Sequence, residues 1–135
     1  MAERAIIVHS LEHARVAVAV AADLGVPVTL ASAPGAAAYV GPQWFAQVIA
    51  NAAAEHPDTQ VSAILDCGAL AGLALAALRL GIKRVRFTGR ASTAAKLSAI
   101  ARRQDAEIVR GRLNALDLLD VSDSEEVCRR WLARK

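Results

Sequence analysis

The chain has 135 residues and a mass of 14.2 kDa, which fits a single α/β domain spanning residues 1–135. Hydrophobic residues make up 55% of it and aromatic residues only 4%, so small aliphatic side chains can build a core without a disulfide or structural metal. The formal charge of +3 is spread over several segments with no interleaved aromatic residues, which argues against a nucleic-acid surface.

The two cysteines, Cys67 and Cys128, are too far apart in sequence to form a CxxC motif. This usage is typical of reduced thiols in a cytoplasmic protein. The first residues contain no apolar signal region. The longest uncharged run, at 24–49, is interrupted by proline and glycine and predicts no membrane span. We therefore expect a cytoplasmic location and no membrane partner.

Strand-like apolar runs alternate with helical patterns from the start of the chain. The first strand is predicted at 5–9. The first helix is predicted at 11–24, with Ser10 as its N-cap and Gly25 as its C-terminal stop. A second strand follows at 27–32.

The second helix is predicted at 43–55, after a loop that contains Pro34-Gly35 and Gly41-Pro42. The same alternation then predicts strand 61–66, helix 70–80, strand 84–88, helix 92–104 and strand 107–110. Beyond residue 113 the pattern weakens. A final helix is predicted to begin near Ser122, which has capping-box spacing to Glu125.

Single helices between consecutive strands imply a parallel sheet with right-handed crossovers. About five βα units are too few to close an eight-unit barrel. The predicted fold is therefore α/β, with an open parallel sheet of about five βα units and a C-terminal helix. It corresponds to half of a TIM-barrel-like domain or to a Rossmann-like three-layer domain, with residues 114–135 as a helical extension.

Two stretches are more specific than this alternation. One is SAPGAAAYVG at 32–41; the other is ILDCG at 64–68, followed by AALRLG at 76–81 and VRFTG at 85–89. Together they resemble the N-terminal half of the class II, metal-dependent fructose/tagatose-bisphosphate aldolases, over about residues 7–113. The resemblance implies that Asp66 matches the family's proton-transfer residue.

The chain also departs from the family at its metal ligands. Cys67 stands where the resemblance implies a zinc-ligating His, and Ala63 or Ile64 replaces the preceding His. On the fifth strand, Arg112 stands where the family has a metal-binding Glu. The family's other metal ligands and its phosphate loops belong to a C-terminal half without a counterpart in this sequence. We expect no standard aldolase activity and no cofactor, with zinc as the alternative.

Active sites of parallel α/β sheets gather at the carboxyl ends of the strands. Asp66 is the candidate catalytic acid/base at that edge. The candidate ligand contacts are Ser32, Gly35, Arg90, Arg110 and Arg112. The candidate metal ligands are His9 and Cys67, fewer than the three or four that a zinc site needs.

Each candidate also has a structural interpretation. Asp66 could cap the third helix, and Cys67 could be a small buried hydrophobe. The 32–41 segment could be a plain connection. Strand alternation puts Arg84, Arg86 and Thr88 on one face, which is either solvated or meets an anion.

Two hypotheses follow from these observations. In the first, an aldolase-like protein binds a small anionic or phosphorylated metabolite at the strand ends, and any reaction it performs is of the lyase type. In the second, the chain is a non-catalytic scaffold that forms a homo-oligomer, a dimer or higher, because an open sheet with apolar faces favours self-association.

Overall fold

The computed structural model describes residues 3–134, which form six strands and five helices. The strands are β1 (Ala5–Ile7), β2 (Val28–Ala31), β3 (Val61–Asp66), β4 (Arg84–Arg86), β5 (Glu107–Val109) and β6 (Ala115–Asp117). The helices are α1 (Leu11–Leu24), α2 (Ala37–Ala54), α3 (Ala71–Arg79), α4 (Ala91–Arg102) and α5 (Ser124–Ala133). The strand pairings are parallel and the sheet is open, so the predicted α/β class and C-terminal helix are confirmed.

The chain divides into two compact units. Within the described residues, unit 1 comprises 3–31, 47–62 and 113–134, and unit 2 comprises 32–46 and 63–112. Each unit has its own parallel strands and helices, and each is described separately below.

In unit 1, β1 lies between β6 and β2, with Ile6 opposite Leu30 on one side and Leu116 on the other. Helix α1 begins at its predicted residue because the Ser10 hydroxyl accepts the His13 N–H, and it ends at Gly25, whose φ of 69° suits glycine. Helices α1 and α5 pack on each other over fully buried aliphatic side chains.

In unit 2, β4 lies between β3 and β5, with Val85 opposite Leu65 and Ile108. Leu65 and Val85 are fully buried, and Phe87, just beyond β4, is nearly so. Helices α3 and α4 pack against each other and complete the hydrophobic layer of this unit.

Three local predictions were wrong. The 114–135 segment contains β6 as well as a helix, because the three residues Ala-Leu-Asp are too few to show an alternating pattern. The predicted loop before Gln43 is already helical from Ala37, with a kink at Gly41. Helix α5 is capped by Asp123, which accepts the Glu126 N–H, and not by Ser122.

Within residues 3–134, no helix combines the length and apolar character needed to cross a bilayer.

Candidate functional site

The candidate site comprises the last residues of the strands of unit 2, the segments that follow them, and residues 32–36. We call this site the rim. Its formally charged side chains are one acid, Asp66, and four bases: Arg86, Arg90, Arg110 and Arg112. The rim therefore carries a formal charge of +3, as large as that of the whole chain. Concentrated positive charge at the carboxyl ends of parallel strands favours an anionic ligand.

Asp66 ends β3 and is only 4% exposed. Its Oδ1 accepts the backbone N–H groups of Gly35 and Gly68 at 2.9 and 2.8 Å, and its Oδ2 accepts Arg86 Nη1 at 3.1 Å. Both oxygens are thus engaged as hydrogen-bond acceptors. In this geometry Asp66 fixes the loops around it.

The expected N-cap role of Asp66 is wrong. Helix α3 begins five residues later, its N-cap position is Leu70, and no side chain caps it. Asp66 instead closes the tight turn to Gly68, whose φ of 56° is a left-handed conformation that glycine adopts readily. A side chain at Gly68 would come within 3.7 Å of the Gly35 backbone, so the two loops lie in contact.

Arg86 links the end of β3 to the segment that follows β5. Its Nη1 binds Asp66, and its Nε donates to the carbonyl of Gly111 at 2.9 Å. Arg86 is therefore neutralised and held in place. Arg84, on the same strand face, pairs with Glu107 at 2.9 Å. The sequence left this strand face as either solvated or meeting an anion, and both of its guanidiniums are bound to carboxylates of the chain itself.

Ser32 is buried and acts as a structural bridge. Its Oγ accepts the Asp66 N–H at 2.8 Å, and its own N–H donates to the Ile64 carbonyl. Gly35, predicted with it as a ligand contact, donates its N–H to Asp66. The structure thus brings Ser32 and Gly35 to the candidate acid, and the polar contacts given above tie both residues to the protein itself.

Arg110 orders the segment after β4. Its Nη1 donates to the carbonyls of Phe87 and Gly89 at 2.8 and 2.9 Å, and the guanidinium lies 5.7 Å from the Phe87 ring centroid. Gly89 fits because a Cβ there would clash with the Phe87 ring. The Arg110 side chain remains exposed, and these bonds do not neutralise its charge.

Arg90 and Arg112 are the free cations of the rim. Both are exposed, and neither side chain forms a hydrogen bond or ion pair with another residue in the 3–134 range. Arg90 sits at the N-cap position of α4 and Arg112 follows Gly111. These are the guanidiniums that a ligand could engage without breaking an existing contact.

Cys67 does not suit the role of a metal ligand or nucleophile. The thiol is buried, and burial together with the charge of Asp66 raises its pKa to about 12. At neutral pH it is therefore a protonated, weakly nucleophilic thiol. Among the described residues, no group of three His, Cys, Asp or Glu side chains could hold a metal ion. The residues present do not fit the zinc site that the aldolase resemblance implies.

His9 belongs to unit 1, where it follows β1. Its Nε2 lies 2.6 Å from Asp117 Oδ1, at the end of β6. Neither the Asp117 partner nor the Arg86–Asp66 pair was recognised from the sequence. Alternation placed Arg86 on the right face of its strand, but no short-range signal identifies a partner 20 residues away, and Asp117 lay in an unrecognised strand.

The comparisons with known proteins leave the family of this chain open. No family model matches the sequence, and a search of the curated proteins found no match.

Proposed function

We propose that unit 2 binds a small anionic metabolite, in the simplest case a phosphorylated one, at the rim. The observation that carries the proposal is the excess of guanidinium over carboxylate there, with Arg90 and Arg112 unpaired among the described residues. Guanidinium forks match phosphate and carboxylate oxygens. Under this proposal the chain is an aldolase-like binding protein without standard aldolase activity, in keeping with its resemblance to that family.

The proposal divides the rim into two roles. Asp66, Arg86, Ser32 and Gly35 hold the loops in place through bonds already present. Arg90, Arg112 and the unengaged part of Arg110 supply the attraction. Because these cations are exposed, their contribution is screened by salt, and the affinity should fall steeply as ionic strength rises.

Isothermal titration calorimetry at low ionic strength tests this directly. Glycerol 3-phosphate should bind and glycerol should not. Arg112→Gln should weaken binding by roughly tenfold, the value of one lost charge-assisted contact. Arg103→Gln is the matched control, since it removes the same charge from the exposed C-terminal end of α4. Absence of heat with glycerol 3-phosphate, or equal weakening by the control, would reject the proposal.

A second candidate function is a homo-oligomeric scaffold, supported by exposed apolar side chains in unit 2. Tyr39 is 88% exposed, and Val40, Trp44 and Leu80 line a groove of about 700 Å³. Contiguous apolar surface of this kind is typical of association sites. A second copy is the simplest occupant, because a two-fold contact pairs the patch with itself.

Sedimentation velocity distinguishes this candidate. We expect a dimer or larger species at micromolar concentration, and Tyr39→Ser with Trp44→Ser should shift it to monomer. Leu119→Ser is the control, since Leu119 is a 57% exposed apolar residue of unit 1. A monomeric wild type would remove this candidate without affecting the anion-binding proposal.

A further inference from the structure

The strand order of unit 1 places a pair of strand ends where open α/β sheets bind ligands. The chain leaves β1 through α1 to β2 on one side, whereas β6 pairs with β1 on the other side. Ligands of open α/β sheets sit outside the carboxyl ends of strands at such a reversal of strand order. The side chains at these two ends are those of His9 and Asp117.

These side chains form a short, fixed dyad. His9 Nε2 lies 2.6 Å from Asp117 Oδ1, and that oxygen also accepts the Leu119 N–H at 2.9 Å. Since a carboxylate only accepts, Nε2 carries the proton in the neutral tautomer of His9, and Nδ1 is then the acceptor nitrogen. No residue in the 3–134 range donates a hydrogen bond to Nδ1. The His9 and Asp117 side chains are 24% and 47% exposed, so solutes can reach them.

A second imidazole, that of His13, lies beside the dyad and offers a donor nitrogen, whereas His9 offers an acceptor. His13 Nδ1 accepts the His9 backbone N–H at 3.0 Å, which places the His13 proton on Nε2 as a donor. Burial and the neighbouring His9 lower the His13 pKa, so this ring is neutral at physiological pH. The two ring centroids are 5.8 Å apart and the ring planes are nearly perpendicular, an edge-to-face contact that holds the two imidazoles side by side.

We propose that His9, Asp117 and His13 form a proton-transfer site for a small uncharged carbonyl compound. His9 Nδ1 takes a proton from the carbon next to the carbonyl; the C–H electron pair becomes the C=C bond, and the carbonyl π pair moves onto oxygen. His13 Nε2–H donates a hydrogen bond to that oxygen. His9 then returns a proton to carbon, and no oxidant, reductant or metal is consumed.

The charges around the dyad argue for an uncharged substrate. The charged residues of segments 8–13 and 115–121 are Glu12, Asp117 and Asp120, and neither segment contains lysine or arginine. An anion would be repelled here. Asp117 is a positioning residue in this scheme, since its contact with Nε2 orients the His9 ring.

The test is hydrogen exchange of dihydroxyacetone in D₂O, followed as loss of its ¹H NMR signal. The wild-type protein should exchange the α-protons at least tenfold faster than free imidazole at equal concentration. His9→Gln should lose that excess, and His13→Gln should reduce it several-fold. His56→Gln is the matched control because His56, the third histidine of the chain, lies outside this cluster.

Asp117→Asn needs its own readout. It should lower the exchange rate and move part of the His9 proton from Nε2 to Nδ1, which ¹⁵N chemical shifts report. Wild-type exchange no faster than imidazole would overturn the proposal without recourse to any variant. Equal losses in His56→Gln and His9→Gln would overturn it as well. Neither outcome bears on phosphate binding in unit 2.

Discussion

Replacing Asp66 by asparagine removes the charge at the centre of the rim while keeping its shape. The amide oxygen can still accept from Gly35 and Gly68, but the amide nitrogen would face Arg86, donor against donor. Loss of a hydrogen bond to a charged group costs about 1.5–3 kcal/mol. Breaking a fully buried ion pair costs about 3–5 kcal/mol. Because Arg86 is partly exposed, we expect about 2–3 kcal/mol.

Urea unfolding at neutral pH measures this cost. With a slope of about 1–3 kcal/mol/M for a chain of this size, the urea midpoint should fall by about 0.7–3 M. Asp105→Asn is the control: Asp105 is exposed with φ of 55°, a conformation asparagine tolerates, so a change within about 0.5 kcal/mol is expected. A double-mutant cycle with Arg86→Gln should show strong coupling. If Asp66→Asn had the same urea midpoint as the wild type, this result would refute the argument.

Three further predictions address single contacts. Cys67 should resist iodoacetamide at pH 8 in the folded protein, because burial raises its pKa to about 12, and it should react in urea. Modification of Cys67 in the folded protein, located by peptide mass mapping, would contradict this prediction. Gly41→Ala should destabilise the protein by about 1–3 kcal/mol in urea unfolding, because a φ of 77° with a ψ of 151° is accessible essentially only to glycine. An unchanged urea midpoint would contradict this prediction. Stability should fall on acidification because two pKa values are lowered in the folded protein. Burial and the adjacent His9 lower the pKa of His13. Burial alone would raise the pKa of Asp117, but the Leu119 N–H and His9 together lower it. The contribution of His13 to stability is present above about pH 6.5 and lost below it. The contribution of Asp117 is present above about pH 4 and lost as the pH falls further. The urea midpoint should therefore depend less on pH in His13→Gln and in Asp117→Asn than in the wild type.

The parts of the fold that could be predicted are those with strong local signals. Helix α1 has both its predicted limits, because Ser10 and Gly25 supply local capping chemistry, and the bounds of β3 were predicted without error. The Gly41-Pro42 pair indicated a loop, but Pro42 tolerates the first turn of a helical segment and Gly41 absorbs the bend. Strand β6 is stabilised by pairing with β1 more than 100 residues earlier, which no local pattern reveals.

The candidate site was predictable in position but not in pairing. Strand ends placed Asp66, Arg90, Arg110 and Arg112 in one unit of the fold. Which arginine neutralises Asp66 depends on strand register, so the sequence could not separate the bound Arg86 from the free cations. The same holds for His9, whose partner Asp117 lies 108 residues away.

Titration of ¹⁵N-labelled protein with inorganic phosphate, followed by ¹H–¹⁵N correlation spectra, tests anion binding at the rim most directly. We expect saturable shifts in the backbone amides of 88–91 and 110–112, accompanied by the Nε–H signals of Arg90 and Arg112. Spectra that do not change, or shifts confined to residues outside the rim such as the C-terminal end of α4, would contradict the account.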